Sequence, residues 1–116
     1  MICTTLPSGW NLTGATALVT EAGSPAGIGF AAALSLGQLG AAVAITGTTA
    51  RIHDRAHELR ELGISAHGLV ARLESAAVAG ELGDALAAAS VVPNILVNNA
   101  GMVSIGDDEM LSVTLL

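Results

Sequence analysis

The sequence predicts an α/β fold in which helices cover both faces of a parallel sheet, with about four strands and three to four helices. Short apolar runs alternate with longer helical patterns along the chain, which is typical of strand–helix–strand crossovers. The strand candidates are continuously apolar, as expected of strands buried on both faces. Aromatic residues make up only 2% of the chain, so the core is aliphatic, and small side chains allow helices to pack closely on a sheet.

The first half of the chain predicts two strands with a helix between them. The apolar run TALVT, residues 16–20, predicts the first strand, and a glycine-rich turn follows it. The pattern over residues 28–39 predicts a helix, which Gly40 can end in a left-handed conformation. AAVAITG, residues 41–47, predicts the second strand.

The second half repeats this alternation. Residues 51–62 predict an amphipathic helix that Gly63 closes. Its apolar face carries Ile52, Ala56, Leu59 and Leu62. AHGLVARL, residues 66–73, predicts a third strand, and the alanine-rich stretch 75–90 predicts a third helix that its glycines weaken. NILVNNAG, residues 94–101, predicts a fourth strand ending in two asparagines and a glycine.

Two further features suggest metal sites but are better explained otherwise. The tail, residues 102–116, contains the acidic run Asp107-Asp108-Glu109 and then a short apolar end without a clear partner. We expect a divergent surface tail there. His53 and His57 are four residues apart on the predicted second helix, a spacing that suits a metal ion. No third ligand accompanies them, so we interpret them as solvent-exposed side chains and predict no metal site.

Composition excludes several function classes. The formal net charge is −6 and only four residues are basic, too few to neutralise a nucleic-acid backbone. No basic segment precedes a long apolar run, so neither a signal peptide nor a membrane span is expected. The single cysteine, Cys3, fits a reducing compartment. We therefore expect a cytoplasmic protein that binds neither nucleic acid nor membrane.

The turn after the first strand has the spacing of a phosphate-binding loop. Gly23, Gly27 and Gly29 form the pattern G-x-x-x-G-x-G between a predicted strand and a predicted helix. A diphosphate must approach the backbone N–H groups at a helix N-terminus, and a Cβ atom there would hold it off. The alternative is a tight turn that only serves helix–sheet packing.

The motifs ALVTEAGSPAGIG and NILVNNAG together resemble the N-terminal half of a short-chain dehydrogenase/reductase. The resemblance covers roughly residues 12–101, less than half of a typical member of that family. It implies an incomplete Rossmann-like three-layer sandwich, so that residues 1–116 form a partial NAD(P)-binding domain. In such a fragment the edge of the fourth strand lacks its usual neighbour, so we expect exposed apolar surface and a tendency to self-associate.

The resemblance implies cofactor-binding roles for residues of both motifs. On the first turn, which holds the cofactor's diphosphate and adenosine ribose, these are Gly23, Ser24, Gly27, Ile28 and Gly29. After the fourth strand they are Asn98, near the adenosine side, and Ala100 and Gly101, which complete that loop. Asn99 is expected to tie neighbouring strands together. The alternative for the two asparagines is a capped turn at a strand end.

The end of the second strand bears on the choice of cofactor. An acidic residue there binds the adenosine ribose 2′-OH of NAD, whereas a nearby basic residue accommodates the 2′-phosphate of NADP. Here Gly47 and Thr48 occupy that position, and Arg51 begins the next helix. We therefore expect Thr48 to lie at the cofactor and NADP to be favoured, with NAD left open. Arg51 could equally be a solvated residue at a helix start.

Two residues depart from the family's pattern. Glu21 stands where the longer-looped form of the family has its first glycine. In the other alignment Gly23 is that glycine, and Glu21 belongs to an insertion. Either way a carboxylate comes close to the diphosphate. Arg72 replaces the acid that usually approaches the adenine.

The catalytic part of the family's pattern is missing from these residues. The family oxidises alcohols or reduces carbonyls through a Ser and a Tyr-x-x-x-Lys pair beyond the fourth strand, but this chain contains no Tyr, and its four basic residues are all Arg. We assign no catalytic residue and expect no hydride transfer by this chain alone. A small alcohol or carbonyl substrate is expected only with the missing C-terminal half. The alternatives are a non-enzymatic scaffold or regulatory protein with a degenerate Rossmann fold and, less favoured, a methyltransferase.

Overall fold

The computed structural model describes residues 7–99, 101–105 and 111–115. After a short 3₁₀ helix, Ser8–Trp10, four strands alternate with three helices and a further pair of strands follows. In chain order these are β1 (Thr16–Val19), α1 (Ile28–Gln38), β2 (Ala42–Gly47), α2 (Ile52–Glu61), β3 (Ala66–Val70), α3 (Ala76–Ala88), β4 (Ile95–Val97), β5 (Gly101–Ile105) and β6 (Leu111–Leu115). The α/β fold that the sequence predicts is confirmed.

The first four strands form one parallel sheet in the order β3-β2-β1-β4. Val19, the last residue of β1, lies opposite Ile45 on one side and Val97 on the other. The chain leaves β1 toward β2 and β3, then returns to place β4 on the opposite side of β1. Strand order thus reverses at the carboxyl end of β1, the position where open α/β sheets bind ligands.

Each face of the sheet has its own aliphatic core. The face covered by α1 and α2 buries Ala17, Val19, Val43, Ile45, Ile52, Ala56 and Leu59. The opposite face, covered by α3, buries Ala44, Ala71, Leu82 and Leu86. Right-handed crossovers require this division, because the connection from β3 to β4 runs in the reverse direction across the sheet. The result is the predicted three-layer arrangement.

The predicted helix ends are confirmed, with one difference in the second helix. Gly40 follows α1 with φ 107° and Gly63 follows α2 with φ 82°, so both glycines adopt the left-handed conformation that ends a helix. Leu62 was expected on the buried face of α2. The helix ends at Glu61 and Leu62 is its C-cap, so this side chain leaves the apolar face and is 49% exposed.

The edge formed by β4 exposes apolar side chains. Leu96 pairs with Leu18 across the sheet and is 65% exposed, and Val92 just before the strand is 80% exposed. The sequence predicted exposed apolar surface at this edge, and the structure confirms it. Self-association through this edge stays a prediction.

The tail forms a hairpin rather than remaining unpartnered. β5 and β6 pair antiparallel, with Gly101 opposite Leu115 and Val103 opposite Val113. The apolar end of the chain, β6, is thus paired with β5. This corrects the expectation that the apolar end has no partner. Among the described residues, no helix has the length and apolar character needed to cross a membrane.

Candidate functional site

The turn between β1 and α1 begins with a strained residue. Glu21 has φ 53°, a left-handed conformation that costs a residue with a Cβ about 1–2 kcal/mol. Gly23 does not share it, since the glycines with positive φ in the described chain are Gly14, Gly40 and Gly63. The geometry therefore favours the alignment in which Glu21 takes the place of the family's first glycine.

Hydrogen bonds from two neighbouring strands hold the start of this turn. The Glu21 N–H donates to Thr46 Oγ1 over 3.4 Å, and the Ala22 N–H donates to the Thr46 carbonyl over 2.8 Å. From the other side, Asn99 Nδ2 donates to the Glu21 carbonyl over 3.1 Å. The Asn99 N–H also donates to Thr20 Oγ1 over 2.9 Å. The turn is thus tied to the ends of β2 and β4, and Asn99 links strands as the resemblance implies.

Close contacts require glycine at one of the predicted positions, Gly29, and leave little room for a side chain at a second, Gly27. A Cβ atom on Gly29 would lie 2.4 Å from the Glu21 carbonyl oxygen and 2.8 Å from Asn99 Nδ2, distances that no side chain can accommodate. A Cβ atom on Gly27 would lie 3.3 Å from Ser24 Cβ. Gly27 is also the N-cap of α1 and provides no side-chain hydrogen bond. The first N–H groups of α1 are therefore without a side-chain cap, as an anion site at a helix N-terminus requires.

The predicted cofactor residues converge on one edge of the sheet. Gly23, Ser24, Gly27, Ile28 and Gly29 all lie on the turn after β1 or in the first residues of α1. Ile28 is 79% exposed beside the turn. Thr48 directly follows β2, and Asn98 directly follows β4; both are exposed. Because β2 and β4 flank β1 in a parallel sheet, the three segments lie next to one another at the same edge of the sheet.

The last two predicted residues, Ala100 and Gly101, follow Asn99 along the chain. Ala100 lies outside the described residues. Gly101 was expected to complete a loop, but it is the first residue of β5 and pairs with Leu115.

Two arginines of the second helix region lie beside Gly23. Arg51 is the N-cap of α2, and its Nε atom would be 3.4 Å from a Cβ atom on Gly23. Arg55 Nη1 donates to the Gly23 carbonyl in a long hydrogen bond of 3.5 Å. Sequence reasoning singled out Arg51 and missed Arg55. The signal that was missed is the position of Arg55, three residues after Ile52 and four before Leu59. This spacing places a positively charged residue on the buried, apolar face of the helix.

Arg72 and His57, both weighed from the sequence, have exposed acidic partners, and the acidic run 107–109 lies outside the described residues. Arg72 lies 3.5 Å from Glu74, and the two side chains are 67% and 52% exposed. His57 contacts Glu61 over 2.8 Å, and both side chains are about two-thirds exposed. Within the described part of the chain, no group of three or more His, Cys, Asp or Glu side chains could hold a metal ion.

Comparison with known proteins gives a family and several similar structures. The family model described as short chain dehydrogenase matches residues 15–114. The Pseudomonas aeruginosa RhlG/NADP active-site complex is 35% identical with a TM-score of 0.79, and the match covers 90% of this chain and 40% of that chain. A search of curated proteins finds no match.

Two further structures are similar. One is a provisionally assigned NAD(P)-dependent gluconate 5-dehydrogenase from Beutenbergia cavernae with NADP bound at low occupancy; it is 38% identical, has a TM-score of 0.75, and the match covers 89% of this chain and 40% of that chain. The other is a metagenomic short-chain oxidoreductase in complex with NADP. It is 34% identical and has a TM-score of 0.71, and the match covers 83% of this chain and 43% of that chain. The chain thus spans about two fifths of the length of these structures.

Proposed function

The chain belongs to the short-chain dehydrogenase family, and we propose that it supplies the NAD(P)-binding part of an oxidoreductase that acts on alcohol or carbonyl substrates. One observation carries the proposal: the glycine turn lies at the switch point of the sheet, tied to β2 by Thr46 and to β4 by Asn99. A turn fixed in this way presents backbone amides with little reorganisation, which favours binding of a diphosphate.

The proposed roles follow from the position of each residue. The backbone at Gly23, Ser24, Gly27 and Gly29 would hold the diphosphate and the adenosine ribose, since glycine lets the ligand approach the amides. Ile28, exposed at the start of α1, would offer an apolar contact. Asn98 would lie along the adenosine side. Ala100 and Gly101 stay in the proposed set on the resemblance alone.

We propose NADP as the preferred cofactor. The segment after β2, residues 47–50, contains no carboxylate that would repel a 2′-phosphate, and Thr48 is exposed there. Arg51 beside Gly23 places a permanent positive charge within reach of the same position. All three of the similar structures described above contain NADP, which agrees with this preference.

The bound dinucleotide would supply hydride chemistry; the residues of this chain would bind and orient it. The chain contains no tyrosine, and its basic residues are all arginines, so the proton transfer that accompanies hydride transfer in the family requires groups from elsewhere. We propose that these groups, and the alcohol or carbonyl substrate, come with a C-terminal part. Translation of the gene beyond the codon for Leu116 tests this point: a Tyr-x-x-x-Lys sequence supports it, and its absence argues against it.

Calorimetric titration tests the proposed cofactor site. We expect the chain to bind one equivalent of NADP, and NAD more weakly, because NAD lacks the 2′-phosphate. Binding of neither dinucleotide would remove the proposal and favour the second candidate, a non-enzymatic scaffold or regulatory protein. The strained carboxylate residue Glu21 at the site is the observation that favours that candidate. Equal affinity for both dinucleotides would remove only the preference for NADP.

A further inference from the structure

The side chain of Arg55 on α2 contacts the glycine turn at Gly23, which is 32 residues away along the chain. Its side chain is only 12% exposed, and Nη2 forms an ion pair with Glu58 at 2.5 Å. Nη1 donates to the Gly23 carbonyl. The guanidinium carbon lies 6.0 Å from the centre of the Phe30 ring on α1. A single side chain of α2 therefore contacts both the turn and the helix that the turn begins.

We propose that Arg55 is a positioning residue that fixes the Gly23–Ser24 peptide with its N–H toward the ligand; this inference rests on the proposed cofactor site. In a planar trans peptide the C=O and N–H bonds point in opposite directions. Because the Gly23 carbonyl is directed inward to Arg55, the Ser24 N–H is directed away from α2. Among the described residues, no hydrogen-bond acceptor is found for that N–H, so it is available to a phosphate oxygen.

The burial of Arg55 indicates that its contact with the turn is a specific structural feature and not a chance surface contact. A guanidinium largely removed from water is retained only where its hydrogen bonds and charge are compensated. Glu58 compensates the charge, the Gly23 carbonyl accepts a hydrogen bond from Nη1, and the Phe30 ring lies beside the guanidinium. This compensation is incomplete, because the Nε atom is buried with no hydrogen-bond partner among the described residues, which costs free energy. Arg55 also brings a positive charge beneath an anion site that carries Glu21.

The test compares substitutions at two arginines of the same helix. Arg55→Met keeps an unbranched apolar side chain but removes the positive charge and the N–H donors of the guanidinium group. Arg60→Met is the matched control, because Arg60 is on the same helix and donates to the Ala66 carbonyl of β3 over 2.9 Å, away from the turn. Calorimetry measures the affinities of NADP, ADP and adenosine 2′-monophosphate for each folded variant.

We expect Arg55→Met to weaken NADP and ADP binding about tenfold, since preorganisation of the turn is lost. Adenosine 2′-monophosphate lacks the diphosphate, so its affinity is expected to stay unchanged, which a general structural defect would not allow. The Ser24 amide resonance should shift and its hydrogen exchange should accelerate in Arg55→Met and not in Arg60→Met. Unchanged dinucleotide affinity, or equal losses for all three ligands, overturns the inference.

A second variant and the parent chain distinguish failure of the positioning role from failure of the proposed cofactor site. Arg55→Lys retains the charge but replaces the planar pair of donor nitrogens with a single ammonium nitrogen, so its NADP affinity should also fall. If Arg55→Met does not fold, an Arg55→Lys variant with the parent's affinity overturns the inference. Failure of the parent chain to bind NADP overturns the proposed function itself. In that case an unchanged Ser24 amide in Arg55→Met would overturn the positioning role separately.

Discussion

The side-chain amide of Asn99 donates a hydrogen bond to the backbone carbonyl of Glu21 over 3.1 Å. This contact joins the end of β4 to the first residue of the glycine turn, 78 residues earlier in the chain. The same two groups also enclose Gly29, since both would collide with a Cβ atom there. The start of α1 is therefore held closely against the ends of β1 and β4, beside the proposed diphosphate site.

Replacing Asn99 should separate its structural role from the ligand role of its neighbour. Asn99→Ala leaves the half-buried Glu21 carbonyl without its donor, so we expect a loss of about 1–3 kcal/mol in the free energy of unfolding. Asn98→Ala alters an exposed side chain and should leave that free energy unchanged while weakening NADP binding. Urea denaturation and calorimetry measure the two effects. Equal stability of both variants would contradict the role given to Asn99.

Glu21→Gly should improve both stability and cofactor affinity. The substitution removes a left-handed non-glycine residue, worth about 1–2 kcal/mol. It also removes a negative charge near the diphosphate, whose repulsion at ~4 Å with an effective dielectric of ~20 amounts to about 4 kcal/mol. That energy corresponds to about three orders of magnitude in the dissociation constant for NADP, the upper limit for a carboxylate directed at the ligand.

Two controls divide this effect into its parts. Glu21→Gln removes the charge and keeps the backbone conformation, so it should gain affinity without gaining stability. Ser90→Gly relieves the other left-handed non-glycine residue of the described chain, φ 58°, beyond the end of α3. It should gain stability and leave NADP affinity unchanged. If Glu21→Gly shows no gain in a calorimetric titration, Glu21 does not weaken the site.

Gly29→Ala should be severely destabilising. Its Cβ atom would lie 2.4 Å from the Glu21 carbonyl, so α1 would have to move away from the sheet, and we expect NADP binding to be lost. Gly80→Ala makes the same change inside α3, where a Cβ atom meets nothing within 4 Å, and should stabilise the chain by about 1 kcal/mol. Thermal unfolding measures both. A Gly29→Ala variant as stable as the parent would show that the close contact is not a constraint.

Arg51→Met tests the preference for NADP. The substitution removes the cation beside Gly23, so we expect NADP affinity to fall about tenfold or more, as for loss of one charge-assisted contact. NAD lacks the 2′-phosphate, so its affinity should change little. Arg72→Met, at an exposed position paired with Glu74, provides the control. Parallel losses for NAD and NADP would show that Arg51 does not recognise the 2′-phosphate.

The order of elements could be predicted because each one has a local signal. Apolar runs, helical periodicity and the glycines after the first two helices all lie within a few residues of the structure they specify. The hairpin of β5 and β6 was missed because its two apolar runs are short and flank an acidic segment. Neither run identifies the other as its partner, and their antiparallel pairing joins two segments that carry no local signal for each other.

In the candidate site, too, features encoded by neighbouring residues could be predicted, and contacts between distant residues could not. The glycine spacing predicts a turn after the first strand and an anion site at the start of a helix, and that turn lies at the switch point of the sheet. Contacts across the chain could not be predicted in this way. Thr46 and Arg55 reach the turn from residues more than twenty positions away, and only the folded sheet brings them there.

The most direct test of the account is an amide NMR titration of the chain with NADP. The central claim is that the N–H groups of the turn and of the first residues of α1 bind the diphosphate. We predict saturable shifts of the Gly23, Ser24, Ile28 and Gly29 resonances, with smaller shifts at Thr48 and Asn98. Saturation with no change at the turn, or shifts confined to α3 and β3, would contradict it.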